Sequence, residues 1–315
     1  MIEKVAKRNI LITGGAGFVG SALARHLAED KENLVVIVDN LLTGDKRRVK
    51  ANDNLKFIKA DVNHFVDISS IFYSYTFDYV FHYAAVVGVK RTLENPIQVL
   101  DDLKGMRNVL DLCKNTGVKR VFFSSSSEVY GEPVELPQHE HTTPLNSRLP
   151  YAIVKNAGEA FLKSYYQEYG LEYTIFRFFN TYGPFQSKDF VISKFVAAAL
   201  KNKDITIYGD GMQTRTFCFI EDNVQACVNA FLQDECINDV VNIGSDVEYT
   251  VIDLAKLIIE ISASTSQIRH LPPLKEGDMS RRQPETTKMQ ALIGRKPIDL
   301  KQGLSNVISN PDFFI

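Results

Sequence analysis

The stretch Asn9–Gly20, NILITGGAGFVG, is the most informative segment of this 315-residue chain. Its apolar first half predicts a core strand, its glycines predict a tight turn, and Ser21–Glu29 continues with helical periodicity. Glycines at such a turn let the backbone approach a pyrophosphate, and the N–H groups at the start of the helix can bind that anion. The stretch therefore predicts a strand–turn–helix unit that binds phosphate.

An acidic residue follows at the distance expected for a dinucleotide site. Asp39 lies 19 positions beyond Gly20, at the end of the β-branched run Leu34–Asp39. A carboxylate there can bind the hydroxyls of an adenosine ribose, and its charge disfavours a 2′-phosphate. The basic segment Lys46–Arg48 lies a few residues further on and weakens this preference. We predict NAD, rather than NADP, as the cofactor.

Predicted strands and helices alternate through the first half of the chain. The strands are apolar and β-branched, as strands buried on both faces require. The clearest helices are Pro96–Asn115 and Tyr151–Tyr169, each followed by a glycine stop. This order predicts an α/β fold with a Rossmann-type, doubly wound parallel sheet. We expect a first domain over residues 1–180 and a smaller C-terminal substrate-binding α/β lobe over 181–315, with an approximate boundary and some later segments returning to the first domain.

The composition excludes several classes of protein. There are 36 Lys and Arg against 38 Asp and Glu, a net charge of −2, whereas nucleic-acid-binding proteins normally have a basic excess. No apolar run approaches the roughly 20 residues that span a bilayer, and the N-terminus has no signal-peptide pattern. We expect a cytoplasmic protein with no nucleic-acid or membrane partner. No metal site is expected, because neither CxxC pairs nor histidines at zinc spacing accompany Cys113, Cys218, Cys227 and Cys236.

Tyr151 and Lys155 form a Tyr-x-x-x-Lys spacing within a predicted helix. Positions four apart lie on one face of a helix, so the two side chains are neighbours. An ammonium beside a phenol stabilises the phenolate, which can remove a hydroxyl proton while the same carbon loses a hydride to a nicotinamide. A surface Tyr–Lys contact has the same spacing, so the interpretation depends on the neighbouring segments.

A run of hydroxyl groups precedes this helix. Val121–Gly131, VFFSSSSEVYG, predicts an apolar strand that ends in serines. Open parallel α/β sheets bind ligands at the carboxyl edge of their strands, so these serines lie where a ligand is expected. A serine there can hydrogen-bond the same hydroxyl that Tyr151 deprotonates. The serines, Tyr151 and the glycine-rich turn together favour a redox site.

In combination these motifs resemble the extended short-chain dehydrogenase/reductase family, in its nucleotide-sugar epimerase/dehydratase branch. The resemblance covers nearly the whole chain and implies that NAD binds the first lobe and a nucleotide diphosphate-sugar the second. The stretches that carry it are TGGAGFVG (13–20), DN (39–40), DV (61–62), HYAA (82–85), SSSSEVYG (124–131), YAIVK (151–155), RFFNTYGP (177–184), YGDGMQTRTF (208–217) and RRQP (281–284).

The resemblance implies roles for individual residues. Those placed along NAD are Gly14, Gly17, Phe18, Val19 and Gly20 at the pyrophosphate, Asp39 and Asn40 at the adenosine ribose, Asp61 and Val62 beside the adenine, and Ala84, Ala85, Tyr151 and Lys155 elsewhere on the cofactor. The implied catalytic residues are the base Tyr151, its partner Lys155, and Ser126. Those placed at the substrate are Ser126, Asn180, Arg215 and Arg282, whose guanidinium groups suit a diphosphate.

Three positions depart from the epimerase pattern of the family. Asp102 stands where the family usually has Asn, which changes one hydrogen bond on the cofactor side. Glu128 replaces a small residue and is similar to the glutamate of decarboxylases and 4,6-dehydratases, so it is a candidate catalytic residue acting near C5. Phe185 stands where glucuronate-processing relatives have Arg, and an apolar ring cannot pair a carboxylate. This disfavours UDP-glucuronate.

These residues predict an NAD-dependent nucleotide-sugar enzyme that transiently oxidises the sugar C4 hydroxyl, with a UDP-sugar favoured. Our first expectation is a UDP-hexose or UDP-N-acetylhexosamine 4-epimerase. The alternative uses the 4-keto intermediate for C5 or C6 chemistry, as a decarboxylase, a dehydratase-like enzyme or an enzyme that rearranges a deoxy-amino sugar. A non-catalytic dinucleotide-binding relative is disfavoured, because it needs no tuned tyrosine. The helices predicted over 96–115 and 151–169 match those that form a dimer in relatives, so the resemblance implies a homodimer.

Overall fold

The computed structural model describes residues 8–50, 52–273 and 281–310. Residues 1–7, on which the signal-peptide expectation partly rests, lie outside these ranges. The chain divides into two compact units. The first consists of Met1–Val129, Ser147–Arg177 and Cys227–Val241, and the second of Tyr130–Asn146, Phe178–Ala226 and Asn242–Ile315.

Strands and helices alternate along the chain. The strands are β1 (Arg8–Thr13), β2 (Asn33–Asp39), β3 (Leu55–Lys59), β4 (Tyr79–His82), β5 (Arg120–Ser126), β6 (Glu172–Phe178), β7 (Thr181–Tyr182), β8 (Ile205–Tyr208), β9 (Thr214–Thr216), β10 (Cys218–Phe219), β11 (Asp239–Ile243), β12 (Glu248–Thr250) and β13 (Ile268–Leu271).

The α-helices lie between these strands, with two short 3-10 turns at Lys46–Arg48 and Ser127–Tyr130. The helices are α1 (Phe18–Leu27), α2 (Phe65–Ser74), α3 (Val89–Glu94), α4 (Pro96–Thr116), α5 (Pro150–Tyr169), α6 (Val191–Ala199), α7 (Ile220–Leu232), α8 (Val251–Ile261), α9 (Thr287–Ile293) and α10 (Leu300–Ile308).

A seven-stranded parallel sheet organises the first unit, with strand order β11-β6-β5-β4-β1-β2-β3. The order reverses between β1 and β4, where Ile10 pairs with Val35 of β2 on one side and Tyr79 of β4 on the other. In open α/β sheets such a switch point is where ligands bind. The α/β, Rossmann-type prediction is confirmed.

The strands of this sheet are apolar on both faces because helices cover them. Leu11, Val36, Val80 and Val121 are fully buried in one core that also takes in residues of α2, α4 and α5. α4 and α5 both end at a left-handed glycine, Gly117 at φ +77° and Gly170 at φ +71°. These stops match the sequence prediction.

The second unit contains three two-stranded sheets. β7 pairs with β10, β9 with β12, and β8 with β13. The antiparallel β9–β12 pair sets Arg215 opposite Tyr249. Among the described residues, no helix has both the length and the hydropathy that crossing a membrane requires.

Candidate active site

The glycine-rich turn connects β1 to α1 in a conformation that needs glycine. Gly14 has φ +68°, and a Cβ there would lie 2.6 Å from the backbone nitrogen of Ala84. A Cβ on Gly20 would collide with the carbonyl oxygen of Gly14. Gly17 is the N-cap of α1 and supplies no side-chain cap, so the N–H groups of Phe18 and Val19 meet no capping side chain. The turn leaves backbone N–H groups for an anion.

Asp39 lies beside this turn at the end of β2. One carboxylate oxygen accepts a hydrogen bond from the N–H of Ala16 (3.0 Å), and the other accepts from the N–H of Leu41 (2.8 Å). Burial raises the pKa of Asp39, while these two hydrogen bonds and the nearby Arg48 oppose the rise. The guanidinium of Arg48 donates to the carbonyl oxygen of Ala16 (3.4 Å). The basic segment therefore reaches the glycine-rich turn, a contact that the sequence did not predict.

The other residues predicted along the cofactor lie in the same unit, after β2, β3 and β4. Asn40 donates to the carboxylate of Asp61 (2.9 Å), which joins the ends of β2 and β3. Val62 is almost buried, and a Cβ on Gly105 of α4 would lie 2.8 Å from it. Beyond β4, Ala84 donates its N–H to the hydroxyl of Thr13 (3.3 Å), and Ala85 follows.

Lys155 is buried at the junction of α5 and β5. Its side chain is only 3% exposed. The ammonium lies 4.8 Å from the centre of the Phe123 ring and 5.8 Å from that of Tyr151. Its hydrogen-bond acceptor is the hydroxyl of Ser124, at 3.5 Å. Burial lowers the pKa of Lys155 to about 8, and the charge of Asp102 opposes that fall.

The structure adds Ser124 to the serine predicted from the sequence. Ser126 accepts a hydrogen bond from the N–H of Glu128 (3.2 Å), whereas it is Ser124 that contacts Lys155. Alternation along β5 puts these two serines on the same face of the strand, which is the signal that could have identified Ser124. Glu128 lies half-buried in the 3-10 turn after β5.

Of the residues predicted at the substrate, Asn180, Arg215 and Arg282 lie in the second unit, whereas Ser126 lies in the first. Asn180, at φ +26°, donates to the carbonyl oxygen of Thr216 (3.0 Å), the residue that follows Arg215. Arg215 and Arg282 are 9% and 8% exposed. Phe185 has φ +69° and is half-buried. The structure thus assembles Asn180 with the β9 segment of Arg215.

A group of possible metal ligands in the second unit was not singled out in the sequence. Ligand atoms of His139, Glu140 and Glu285 lie within 4.8 Å of one another. All three side chains have protein contacts: His139 accepts from the N–H of His141 (3.3 Å), Glu140 from the N–H of Asn242 (3.0 Å), and Glu285 from the N–H of Thr287 (3.0 Å). These contacts tie the cluster to the backbone of the second unit.

Comparison with known proteins identifies the family. Residues 10–244 match the NAD dependent epimerase/dehydratase family. The chain belongs to this family. It is 36% identical over 317 residues to UDP-glucuronic acid decarboxylase 1 of Danio rerio, covering 97% of this chain and 73% of that protein. It is 35% identical over 319 residues to UDP-N-acetyl-alpha-D-glucosaminuronate decarboxylase of Bacillus cytotoxicus, covering 96% of this chain and 97% of that protein.

Solved structures point to the same family. UDP-glucose 4-epimerase of Thermotoga maritima, solved with UDP-glucose, is similar with a TM-score of 0.89 at 32% identity, covering 95% of this chain and 97% of that chain. The predictions of an enzyme, of this family and of NAD dependence are confirmed. The relatives include both reactions weighed from the sequence, 4-epimerisation and decarboxylation of UDP-sugars.

Proposed function

We propose that this chain is a UDP-sugar 4-epimerase that oxidises the C4 hydroxyl transiently with bound NAD. The observation that carries the proposal is the buried ammonium of Lys155 beside the ring of Tyr151, in the same unit as the glycine-rich turn. A surface Tyr–Lys pair would keep its ammonium in water. Burying an ammonium is costly, so its retention here is typical of a functional site.

The residues of the first unit fit NAD. The positive φ of Gly14 and the close approach at Gly20 form a cradle that a Cβ would fill, as a pyrophosphate at a helix N-terminus requires. Asp39 suits ribose hydroxyls, because each carboxylate oxygen has a second lone pair beyond its hydrogen bond to Ala16 or Leu41. When bound, NAD would supply a reversible hydride acceptor for the sugar C4. Asn40, Asp61, Val62, Ala84 and Ala85 complete the proposed cofactor contacts.

The chain's own residues would move the proton. The phenolate of Tyr151 takes the proton of the C4 hydroxyl, and the charge of Lys155 stabilises that phenolate. Ser126 accepts from the N–H of Glu128, so its own proton is available to the substrate oxygen. The tyrosine returns the proton to the C4 oxygen, and return of the hydride to the opposite face of the 4-keto sugar would invert C4.

We assign the nucleotide diphosphate-sugar to residues of the second unit. Arg215 and Arg282 are nearly buried guanidinium groups, which can bind phosphate oxygens two at a time. Asn180 is fixed next to Arg215 by its bond to Thr216. UDP-glucose in the similar epimerase structure supports uridine as the nucleoside of the substrate. The sugar expected is a hexose or an N-acetylhexosamine.

Decarboxylation of a UDP-uronate is the second candidate. The similarity to two decarboxylases favours it, and Glu128 beside Ser126 offers a carboxylate for chemistry near C5. Phe185 argues against it, because an apolar ring does not pair a uronate carboxylate. Epimerisation is therefore the favoured reaction of the two.

Product analysis separates the two reactions. The purified chain is incubated separately with UDP-glucose, UDP-N-acetylglucosamine and UDP-glucuronate, and the sugars are identified by NMR. We expect C4 epimers from at least one of the first two and no carbon dioxide from the third. Release of carbon dioxide would replace the first proposal by the second, and Glu128→Gln should then accumulate a 4-keto product.

Tyr151→Phe tests the base in the same assay. We expect turnover to fall by about 100-fold or more, because a general base is removed, while NAD stays bound. The matched control is Tyr166→Phe, a tyrosine of the same helix that is 44% exposed. A Tyr151→Phe variant with a near-normal rate would contradict the assignment.

We further propose a homodimer and a cytoplasmic location. Apolar side chains on the outer surfaces of α4 and α5, including Ile97 and Ile153, support the dimer. The free thiols of Cys113, Cys218, Cys227 and Cys236 support the location, because a reducing compartment keeps cysteines unpaired.

A further inference from the structure

Asp102 is a half-buried carboxylate that the proposed reaction does not use. It lies on α4, and one of its oxygens accepts a hydrogen bond from the N–H of Val86 (2.7 Å). An asparagine could accept that same bond, so the hydrogen bond does not require a charge. The position therefore carries a negative charge in addition to an acceptor.

Packing between α4 and α5 brings this charge to the catalytic helix. Val99 and Leu103, on either side of Asp102, pack with Val86 and with Val154 and Tyr151 of α5. Val154 immediately precedes Lys155, whose charge favours the ionised form of Asp102. Asp102 thus lies beside the part of α4 that packs against the segment of α5 carrying Lys155, although the described structure has no direct ion pair between them.

In the part of the chain that the structure describes, the immediate contacts of Lys155 are uncharged. They are the hydroxyl of Ser124 and the ring faces of Phe123 and Tyr151. His82 also faces the ammonium, but burial and Lys155 lower its pKa to about 3, so the imidazole is neutral. Its Nδ1 is hydrogen-bonded to the hydroxyl of Thr13 at 2.8 Å.

We propose that Asp102 is the counter-ion of Lys155, and that it acts as a positioning residue which keeps the ammonium charged beside the Tyr151 base. The inference rests on the proposed function, because it concerns the partner of the proposed base. Without a counter-ion, desolvation of the ammonium would favour neutral lysine, and a neutral amine cannot stabilise a phenolate.

On balance the pKa of Asp102 is raised, chiefly by burial, and the surrounding groups act in both directions. Burial raises the pKa of Asp102, and so does the charge of Asp61. The N–H of Val86, the charge of Lys155 and the side chain of Asn63 lower it. Two hydrogen-bond donors and one cation therefore stabilise the ionised form of Asp102 against the effect of burial.

The test is Asp102→Asn in the full chain. This variant keeps an acceptor for Val86 and removes only the charge. Lysine labelled with ¹³C at Cε is incorporated, the Lys155 resonance is identified by its loss in Lys155→Met, and its shift is followed against pH. We expect the Lys155 midpoint to fall by on the order of one pH unit. The high-pH limb of the rate profile should move down with it.

The matched control is Asp101→Asn, which removes a neighbouring carboxylate of α4 that pairs with Lys104 on the surface (2.8 Å). It should leave the Lys155 midpoint unchanged. An unchanged midpoint in Asp102→Asn would overturn the proposal. If Asp102→Asn does not fold, Asp102→Glu decides: the charge is kept, so the midpoint should stay near the wild-type value, and a fall would overturn the proposal.

The titration is read without substrate. A chain that turned over no UDP-sugar, yet showed the shift, would retain Asp102 as the counter-ion and lose only the proposed reaction.

Discussion

The buried ammonium of Lys155 serves the proposed reaction but lowers the stability of the folded chain. In the cofactor-free chain its burial lowers the pKa to about 8, well below that of a lysine in the unfolded chain, at about 10.4. Below pH 8 the residue is charged in both states, and the folded state bears the full cost of the buried charge. Between about pH 8 and pH 10 the unfolded chain holds the extra proton, so this cost diminishes as the pH rises.

We expect Lys155→Met to stabilise the chain while abolishing turnover. At pH 7, urea denaturation of the cofactor-free protein should show a gain on the order of 3 kcal/mol, because the shift in pKa corresponds to roughly that penalty. The gain should shrink above pH 9. Lys163→Met, an exposed lysine of the same helix, should change neither property. A loss of stability in Lys155→Met would show that the ammonium is satisfied by its contacts.

Individual residues were predictable where spacing determines position. Tyr151 and Lys155 follow from the helical period, and Gly14 follows from a turn that only a left-handed residue can make. Ser124 and Asp102 were not predicted as partners of Lys155. Whether they lie near the ammonium depends on how the long side chain of Lys155 packs against β5 and α4. A sequence pattern does not reveal that packing.

A buried ion pair connects the central elements of the first unit. Glu159 of α5 binds Arg177 of β6 through two hydrogen bonds (2.9 and 2.7 Å), and Ser125 of β5 donates to the same carboxylate (2.6 Å). Both charged side chains are at most 2% exposed. Since Ser125 lies between Ser124 and Ser126, this network fixes the serines against the helix that carries Lys155.

We expect Glu159→Gln to cost about 3–5 kcal/mol, because it leaves the Arg177 charge buried without its partner. Urea denaturation measures the change. Glu168→Gln, an exposed glutamate of the same helix, is the control and should be nearly neutral. A cost under about 1 kcal/mol would mean that water or another group solvates Arg177.

The elements themselves were largely predictable. Hydrophobic runs gave β2, β4 and β5, and glycine stops gave the ends of α4 and α5. The position of β11 was not predicted, because Asp239–Ile243 joins the edge of the sheet beside β6 after some sixty intervening residues. Local pattern indicates a strand but does not choose its partner.

At the scale of the whole molecule, apolar side chains on α4 and α5 are exposed to solvent in a single copy of the chain. α4 and α5 pack against each other in the first unit. On their outer surfaces Ile97 is 72% exposed, Leu100 39% and Ile153 45%. Covering such side chains gains about 25 cal/mol for each Å² of apolar area, so a second copy placed there would be stabilised. The near-neutral charge of −2 offers little repulsion between copies.

We therefore expect the purified chain to have about twice the 35.5 kDa mass of one copy in light scattering. Changing Ile97 and Ile153 together to aspartate should give monomers, because four charges would be buried in the contact without partners. Val66→Asp on α2, where the side chain is 78% exposed, is the matched control and should remain dimeric. A wild-type monomer would contradict the homodimer, and a dimeric double variant would place the contact away from these helices.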